Sequence, residues 1–413
     1  MPQPARRSFA SIALLATLFS MAAGCGGASD PAATSAGSER EDAAVLLARS
    51  TLIMDTHVDV PYRLDEKWAD ISQRTDDGHF DYPRAKAGGL DAPFMSIYVP
   101  ASYQTEGGAK DYADSLIDMV EGFVEKWPDK YAIARSPAQV QEIYGRGLIA
   151  LPMGMENGAP VEGDLANLQH FFDRGVRYIT LTHSENNAIC DSSYADEKLH
   201  QGLSPFGRAV VAEMNRLGIM IDISHVSDDT FWQVIELTEA PLIASHSSAR
   251  KFTPDFERNM NDEMIKALAE NGGVIGINFG SAFLTAAARE YSSNMWSTVG
   301  AWVEEAGVEW NSPEGQALRS KFYSENPPVQ TTLGDVVDHI NHVVSLVGVD
   351  HVGFGSDYDG VSSLPLGLED VSKYPDLIRA LQDEGYSDED IVKMCSGNFM
   401  RVWEAVERIA AEG

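Results

Sequence analysis

Two residues apart, His57 and Asp59 close the apolar run Leu52-Ile53-Met54-Asp55-Thr56-His57-Val58-Asp59. In an extended chain, side chains at i and i+2 point to the same side. A strand ending here therefore aims an imidazole nitrogen and a carboxylate oxygen at one point, half of a shell for a divalent metal. His-x-Asp also arises by chance as a solvated strand end, so the pattern gains weight only from its recurrence. It recurs at Glu156 in Gly154-Met155-Glu156-Asn157-Gly158 and at His183 in Thr180-Leu181-Thr182-His183-Ser184. His225 closes Asp222-Ile223-Ser224-His225, His246 lies in Ala244-Ser245-His246-Ser247-Ser248, and Asp357 lies in Gly353-Phe354-Gly355-Ser356-Asp357-Tyr358-Asp359-Gly360. Each follows a short, β-rich apolar run.

Of the ten histidines, four end such runs. His170, His339 and His342 fall on expected helices, His79 and His200 in loops, and His351 at a strand's start. One strand-end histidine alone is more simply a hydrogen-bonded structural residue. Four of them, with three acids at equivalent places, are better explained by metal. Three histidines and two or three carboxylates exceed the usual four-coordinate shell of one zinc. Two metals bridged by Glu156 and a hydroxide use them all.

The elements that must position these groups alternate along the chain. Candidate strands span residues 52–57, 94–99, 148–153, 176–183, 219–224, 241–246, 274–279 and 351–357. Several are continuous Ile, Val, Leu, Tyr and Phe runs rather than alternating ones, as in strands buried on both faces of a parallel sheet. Helical spacing appears over 164–174, 206–217, 262–270 and 333–347, the last with Leu333, Val336, Val337, Ile340, Val343, Val344 and Val347 on one face. Eight strands with intervening helices predict an α/β fold, a (β/α)8 TIM barrel of the metal-dependent hydrolase type. A doubly wound open sheet is the runner-up. In the barrel, chemistry sits at the C-terminal ends of the strands, where the seven residues fall. Residues 281–330 are too long for a simple loop and read as a helical insertion after strand seven, beside the site. Residues 388–411 read as two helices broken near Ser396-Gly397-Asn398.

The 413 residues are 44% hydrophobic and 9% aromatic, ordinary for a globular protein. Sixty-two acidic against 31 basic residues give a net charge of −31, which repels nucleic acid and anionic head groups and excludes a polyanion partner. Arg6-Arg7 and the apolar stretch 12–21 precede Ala22-Ala23-Gly24-Cys25. That stretch is too short to span a bilayer, and the pattern reads as a cleaved export signal. Its end resembles a bacterial lipobox, with Cys25 as the lipidated first residue of the mature chain. Arg6-Arg7-Ser8-Phe9 also resembles a twin-arginine signal. The expected organisation is a lipoprotein signal peptide at 1–24, a flexible Gly/Ala/Ser tether at 25–41 and a single domain at 42–413. The expected location is the bacterial cell envelope, exported and lipid-anchored on the periplasmic side. Cys190 and Cys395, far apart, imply two buried thiols and no disulfide framework.

The motifs around Asp55 to Asp59, Glu156 to Gly158, Leu181 to Ser184, His225 to Ser227, Ser245 to Ser248 and Gly353 to Gly360 resemble, in order, those of the membrane (renal-type) dipeptidases of the amidohydrolase superfamily. Gly202-Leu203-Ser204-Pro205-Phe206-Gly207 and Gly367-Leu368-Glu369-Asp370 fit the same pattern, and the resemblance covers residues 52–407. It implies two Zn²⁺ per chain, one on His57 and Asp59, the other on His225 and His246, with Glu156 bridging. It implies that His183 binds substrate and steadies the oxyanion, that Asp357 handles the proton, and that Arg258 grips the substrate's terminal carboxylate, with Arg250 as its substitute. Asp359 is then structural. The implied activity is hydrolysis of dipeptides, including those with a C-terminal D-residue. Alternatives are another metallohydrolase reaction on the same barrel (N-acyl amino acid, lactone or cyclic amide) and a non-catalytic peptide-binding lipoprotein. Enzymes of the first kind often bridge their metals with a carboxylated lysine at the end of strand four, and the run 176–183 contains no lysine. The oligomeric state is open, a homodimer included.

Overall fold

Apolar runs buried on both faces are stable inside a parallel sheet covered by helices. The computed structural model, which describes residues 43–413, sets eight such strands side by side. They are β1 (Ile53–Val58), β2 (Leu90–Tyr98), β3 (Met153–Glu156), β4 (Val176–Thr180), β5 (Met220–Asp222), β6 (Ile243–Ser247), β7 (Val274–Ile277) and β8 (Val352–Phe354). Neighbours in sequence are neighbours in the sheet, and every pair is parallel. The first and last strands meet where they end: Val58 bridges Tyr358, Asp357 N donates to His57 O at 3.1 Å, and Asp59 N donates to Tyr358 O at 2.8 Å. The sheet is the (β/α)8 barrel expected from the sequence, and its seam runs through three of the candidate residues.

The opposite mouth is stoppered. Phe399, Trp403 and Val406 of the last helix (Asn398–Glu412) pack with Met54, Phe94, Tyr178, Met220, Ile243 and Val274 in one buried cluster. Phe94 meets Phe399 at 5.2 Å and Trp403 at 5.3 Å between ring centroids. Helices Asp262–Glu270 and Leu333–Val347 lie where the periodicity predicts them.

Two expectations need correction. The run 148–153 is not one strand. Ile149–Leu151 pairs with Tyr131–Ile133 in a separate two-stranded sheet, and the barrel strand starts only at Met153. Pro152, with no N–H to donate, marks the switch, and Glu156 becomes the last residue of β3 rather than a residue beyond it. The expected break near Ser396-Gly397-Asn398 is a continuous helical path instead. A π turn (Lys393–Gly397) joins Asp388–Val392 to the last helix, and Asn398 Nδ2 donates to Val349 O and Val352 O.

The helical insertion follows β7. It consists of α2 (Ala286–Ala306) and α3 (Pro313–Glu325), α1 (Val60–Glu66) being the short helix after β1. Met295, Val299 and Phe322 give the insertion a small core of its own. Cys190 and Cys395 are buried free thiols. The expected signal, tether and Cys25 lie outside the described residues.

Candidate metal centre

All seven strand-end residues converge at the C-terminal mouth of the barrel. Glu156 is the hub. Its Oε1 lies 3.1 Å from His225 Nε2, 3.2 Å from His246 Nε2 and 3.5 Å from His183 Nε2. Its Oε2 lies 3.4 Å from His57 Nε2, which is itself 3.3 Å from Asp59 Oδ2. His225 Nε2 and His246 Nε2 are 2.9 Å apart. Three overlapping groups, His57/Glu156/His246, Glu156/His183/His225 and His57/Asp59/Asp357, each gather their ligand atoms within 4.8 Å. Proximity alone therefore does not partition the set. The two oxygens of Glu156, facing different imidazoles, do.

The donor set fits divalent cations. Zn–N bonds of about 2.0–2.1 Å in tetrahedral geometry separate ligand atoms by about 3.3 Å, close to the spacings here. His57 Nε2 and Asp59 Oδ1 are buried and have no hydrogen-bond partner among the described residues. Burial, reinforced by the Arg258 guanidinium among other groups, holds His225 and His246 well below the usual imidazole range. Burial opposes ionisation of Glu156, but His57 and His183 outweigh it and keep the carboxylate charged. His57 is shifted the other way: burial opposes its protonation, but Tyr178, Asp59 and Glu156 outweigh it and hold the metal-free imidazole well above its usual range. Neutral imidazole and ionised carboxylate, as at His225, His246 and Glu156, are the forms that bind metal, so an ion at His57 must displace a proton. Asp357 is the contrary case: burial, with the Asp59 carboxylate beside it, pushes its pKa well above the carboxylate range.

Hydrogen bonds beneath the site fix which imidazole nitrogen faces inward. Tyr178 OH donates to Thr56 O at 3.1 Å, so it accepts from His57 Nδ1 at 2.8 Å. Ser245 Oγ donates to Asp222 Oδ2 at 2.6 Å, so it accepts from His246 Nδ1 at 2.7 Å. In both rings Nδ1 therefore carries a proton and Nε2 is the atom turned into the centre, available to a metal. Asp222 is saturated as an acceptor by Ser224 N, Ser245 N and the Thr180 and Ser245 hydroxyls. Tyr178 reaches His57 only because residue 154 is glycine, where a Cβ would lie 2.0 Å from the Tyr178 ring. Sequence reasoning missed Tyr178, Ser245 and Asp222. Tyr178 and Thr180 of β4 share the i, i+2 relation that exposed His57 and Asp59, and reading each strand backwards from its end would have found them.

Asp357 lies in left-handed backbone (φ 63°). Its Oδ2 accepts from Asn278 Nδ2 at 2.8 Å. A Cβ on Gly360 would stand 2.3 Å from both Asp357 Oδ1 and Asp59 Oδ2, so the glycine leaves room for the two carboxylates. Asp359 belongs to another network, ion-paired with Arg63 at 3.2 Å and accepting from His79 N at 2.5 Å. Arg258 is buried. It donates to Ser247 Oγ and His246 O, lies over Phe283, and has no carboxylate partner among the described residues. Arg250 is instead paired bidentately with Asp228, at 2.7 and 2.6 Å. His183 is the least buried of the four imidazoles, with 21% of its side chain exposed, and packs between Tyr98 and His225.

A family model described as membrane dipeptidase (peptidase family M19) matches residues 40–413. A dipeptidase of Aspergillus oryzae, aclJ, is 36% identical over 340 residues, covering 81% of this chain and 71% of its own. The crystal structure of the probable dipeptidase PvdM from Pseudomonas aeruginosa superposes with a TM-score of 0.78 at 27% identity, covering 90% of this chain and 99% of its own. A metallopeptidase from Rhodobacter sphaeroides, solved with a phosphinate mimic of the dipeptide L-Ala-D-Ala, superposes with a TM-score of 0.70 at 26% identity, over 86% of this chain and 99% of its own.

Tyr178→Phe and Ser245→Ala should each lower divalent-metal affinity by about 10–100-fold, measured on the metal-free protein by competition with a chromophoric chelator. Unchanged affinity in both variants would show that these hydroxyls do not orient the imidazoles.

Proposed function

The chain belongs to the membrane dipeptidase family, peptidase family M19, and is a metallodipeptidase; from that premise we propose that it hydrolyses dipeptides with two zinc ions. The reading rests chiefly on one observation, the opposed oxygens of Glu156. His57 and Asp59 would hold one ion, His225 and His246 the other, with one Glu156 oxygen on each. When bound, such a pair supplies a water acidified to near-neutral pKa and a Lewis acid for the scissile carbonyl.

The remaining steps belong to the protein's own side chains. Arg258 orients the substrate by its terminal carboxylate. It is a buried cation with no acid of its own, whereas the bidentate Asp228 pair occupies Arg250. His183, facing the opening, donates to the carbonyl oxygen as negative charge develops there. Asp357 Oδ1 takes the proton from the attacking water and returns it to the leaving amine, while Asn278 holds Oδ2 in place. Asp359, committed to Arg63 and His79, has no step. The likeness to a protein solved with an L-Ala-D-Ala mimic supports acceptance of a D-residue at the substrate's C-terminal side.

We place the enzyme outside the cytoplasm, anchored through a lipid on Cys25, on the strength of the Ala22-Ala23-Gly24-Cys25 pattern that ends the apolar stretch 12–21.

Asp357→Asn keeps shape and removes the basic oxygen. It should reduce kcat by about 100-fold or more with full metal content, both measured on one preparation. Parallel loss of metal and activity, restored by added zinc, would make Asp357 a ligand instead. For the anchor, mass spectrometry of the wild-type mature N-terminus should find an acylated Cys25, and Cys25→Ser should abolish the acyl group. Recovery of wild-type protein with an unmodified N-terminus would contradict it.

A further inference from the structure

Arg289, in the first turn of α2, stacks its guanidinium on Phe256 at 4.0 Å. Every other buried or half-buried arginine among the described residues donates to an oxygen: Arg63, Arg84, Arg174, Arg250 and Arg379 to carbonyls or carboxylates, Arg177, Arg258 and Arg319 to carbonyls. Arg289 has no such acceptor, in a chain with 62 acids for 31 basic residues. A guanidinium held over an aromatic ring with no anion beside it is available to pair with a carboxylate.

Its surroundings lead into the cleft. Phe256 is 6.0 Å from the Tyr194 ring, which is 5.9 Å from the His225 ring. On its other side, Phe256 is 5.8 Å from Phe283, and Arg258 lies over Phe283 at 5.4 Å. The two guanidiniums thus flank one pair of phenyl rings along the wall built by the loops after β6 and β7. Across the mouth, after β1 and β2, the wall is of opposite character. Tyr62 packs on Tyr98, which packs on His183, and the Tyr62 hydroxyl donates to Glu66. An acidic group on the substrate is therefore attracted to the Arg289 wall and repelled from the Glu66 wall.

We propose that Arg289 sets the substrate class of this site by pairing with the side-chain carboxylate of an acidic C-terminal residue while Arg258 holds its α-carboxylate. The preferred substrates are then dipeptides ending in aspartate or glutamate. The inference rests on the dipeptidase reading, and it assigns a specificity role to the helical insertion, which lies outside the barrel itself.

The test compares alanyl-aspartate with alanyl-asparagine, and alanyl-glutamate with alanyl-glutamine, each with L and D C-terminal residues, on the purified metal-loaded enzyme. The paired side chains differ in charge and hardly in size. The acidic member of each pair should show a kcat/KM roughly tenfold or more higher, a preference that shrinks as salt is raised. Arg289→Gln should bring the ratio to near one, Arg289→Lys should retain part of it, and Arg289→Glu should turn the preference toward alanyl-lysine. Hydrolysis of alanyl-asparagine without preference for alanyl-aspartate would leave the dipeptidase reading standing and sink this one. The same holds if the ratio persists in Arg289→Gln. Failure of the wild type on all four pairs would remove the dipeptidase reading and this proposal together.

Discussion

Asp59, Glu156 and Asp357 are each less than a tenth exposed, and their carboxylates share one barrel mouth with four imidazoles. Carboxylates crowded into a desolvated space must either take up protons, as Asp357 tends to do here, or be accompanied by cations. That constraint organises the rest of the structure. With both its oxygens directed at imidazoles, Glu156 has no use as a solitary acid. Between two cations, as proposed, it would be neutralised from both sides, and each imidazole nitrogen turned toward it would find a partner.

A centre of this kind needs its ligands held before metal arrives, and the barrel holds them by several means. Hydrogen bonds across the seam between β8 and β1 tie the backbones of His57, Asp59, Asp357 and Tyr358 directly together. Glycines make room: Gly154 for the Tyr178 ring that orients His57, Gly360 for two carboxylates at once. His225 and Asp357 sit in left-handed backbone, at φ 69° and 63°, a conformation costing of order 1–3 kcal/mol for such residues. The stability of the surrounding barrel offsets that cost, and the strain falls on two residues of the candidate centre. His225 differs from His57 and His246 in one respect. Its Nδ1 has no hydrogen-bond partner among the described residues, so its orientation relies on packing against His183 and Tyr194.

The convergence of the candidate ligands was legible in the sequence because two regularities coincide there. Strand ends are marked by the halt of an apolar run, and His, Asp and Glu are rare enough at those points for repetition to carry weight. The parts that were not legible depend on contacts between distant segments. Pro152 alone does not reveal that 149–151 leaves the barrel for a strand at 131–133. Asp222 looks like an ordinary strand-end acid until Thr180, Ser224 and Ser245 are seen to converge on it. Arg250 and Arg258 are indistinguishable by spacing, and they separate only when Asp228 is found paired with one of them. The residues of the insertion gave no chemical signal in sequence, since the meaning of Arg289 lies in its lack of a partner.

Glu156 is proposed to serve two metal sites with one carboxylate. Elemental analysis of purified wild-type protein and of Glu156→Gln, titrated with zinc under identical conditions, tests it most directly. The wild-type chain should hold about two zinc ions, and the variant should bind weakly at both sites, because a neutral amide is a poor bridge. A variant that binds both ions as tightly as the wild type, or that loses one site while the other is untouched, would contradict it.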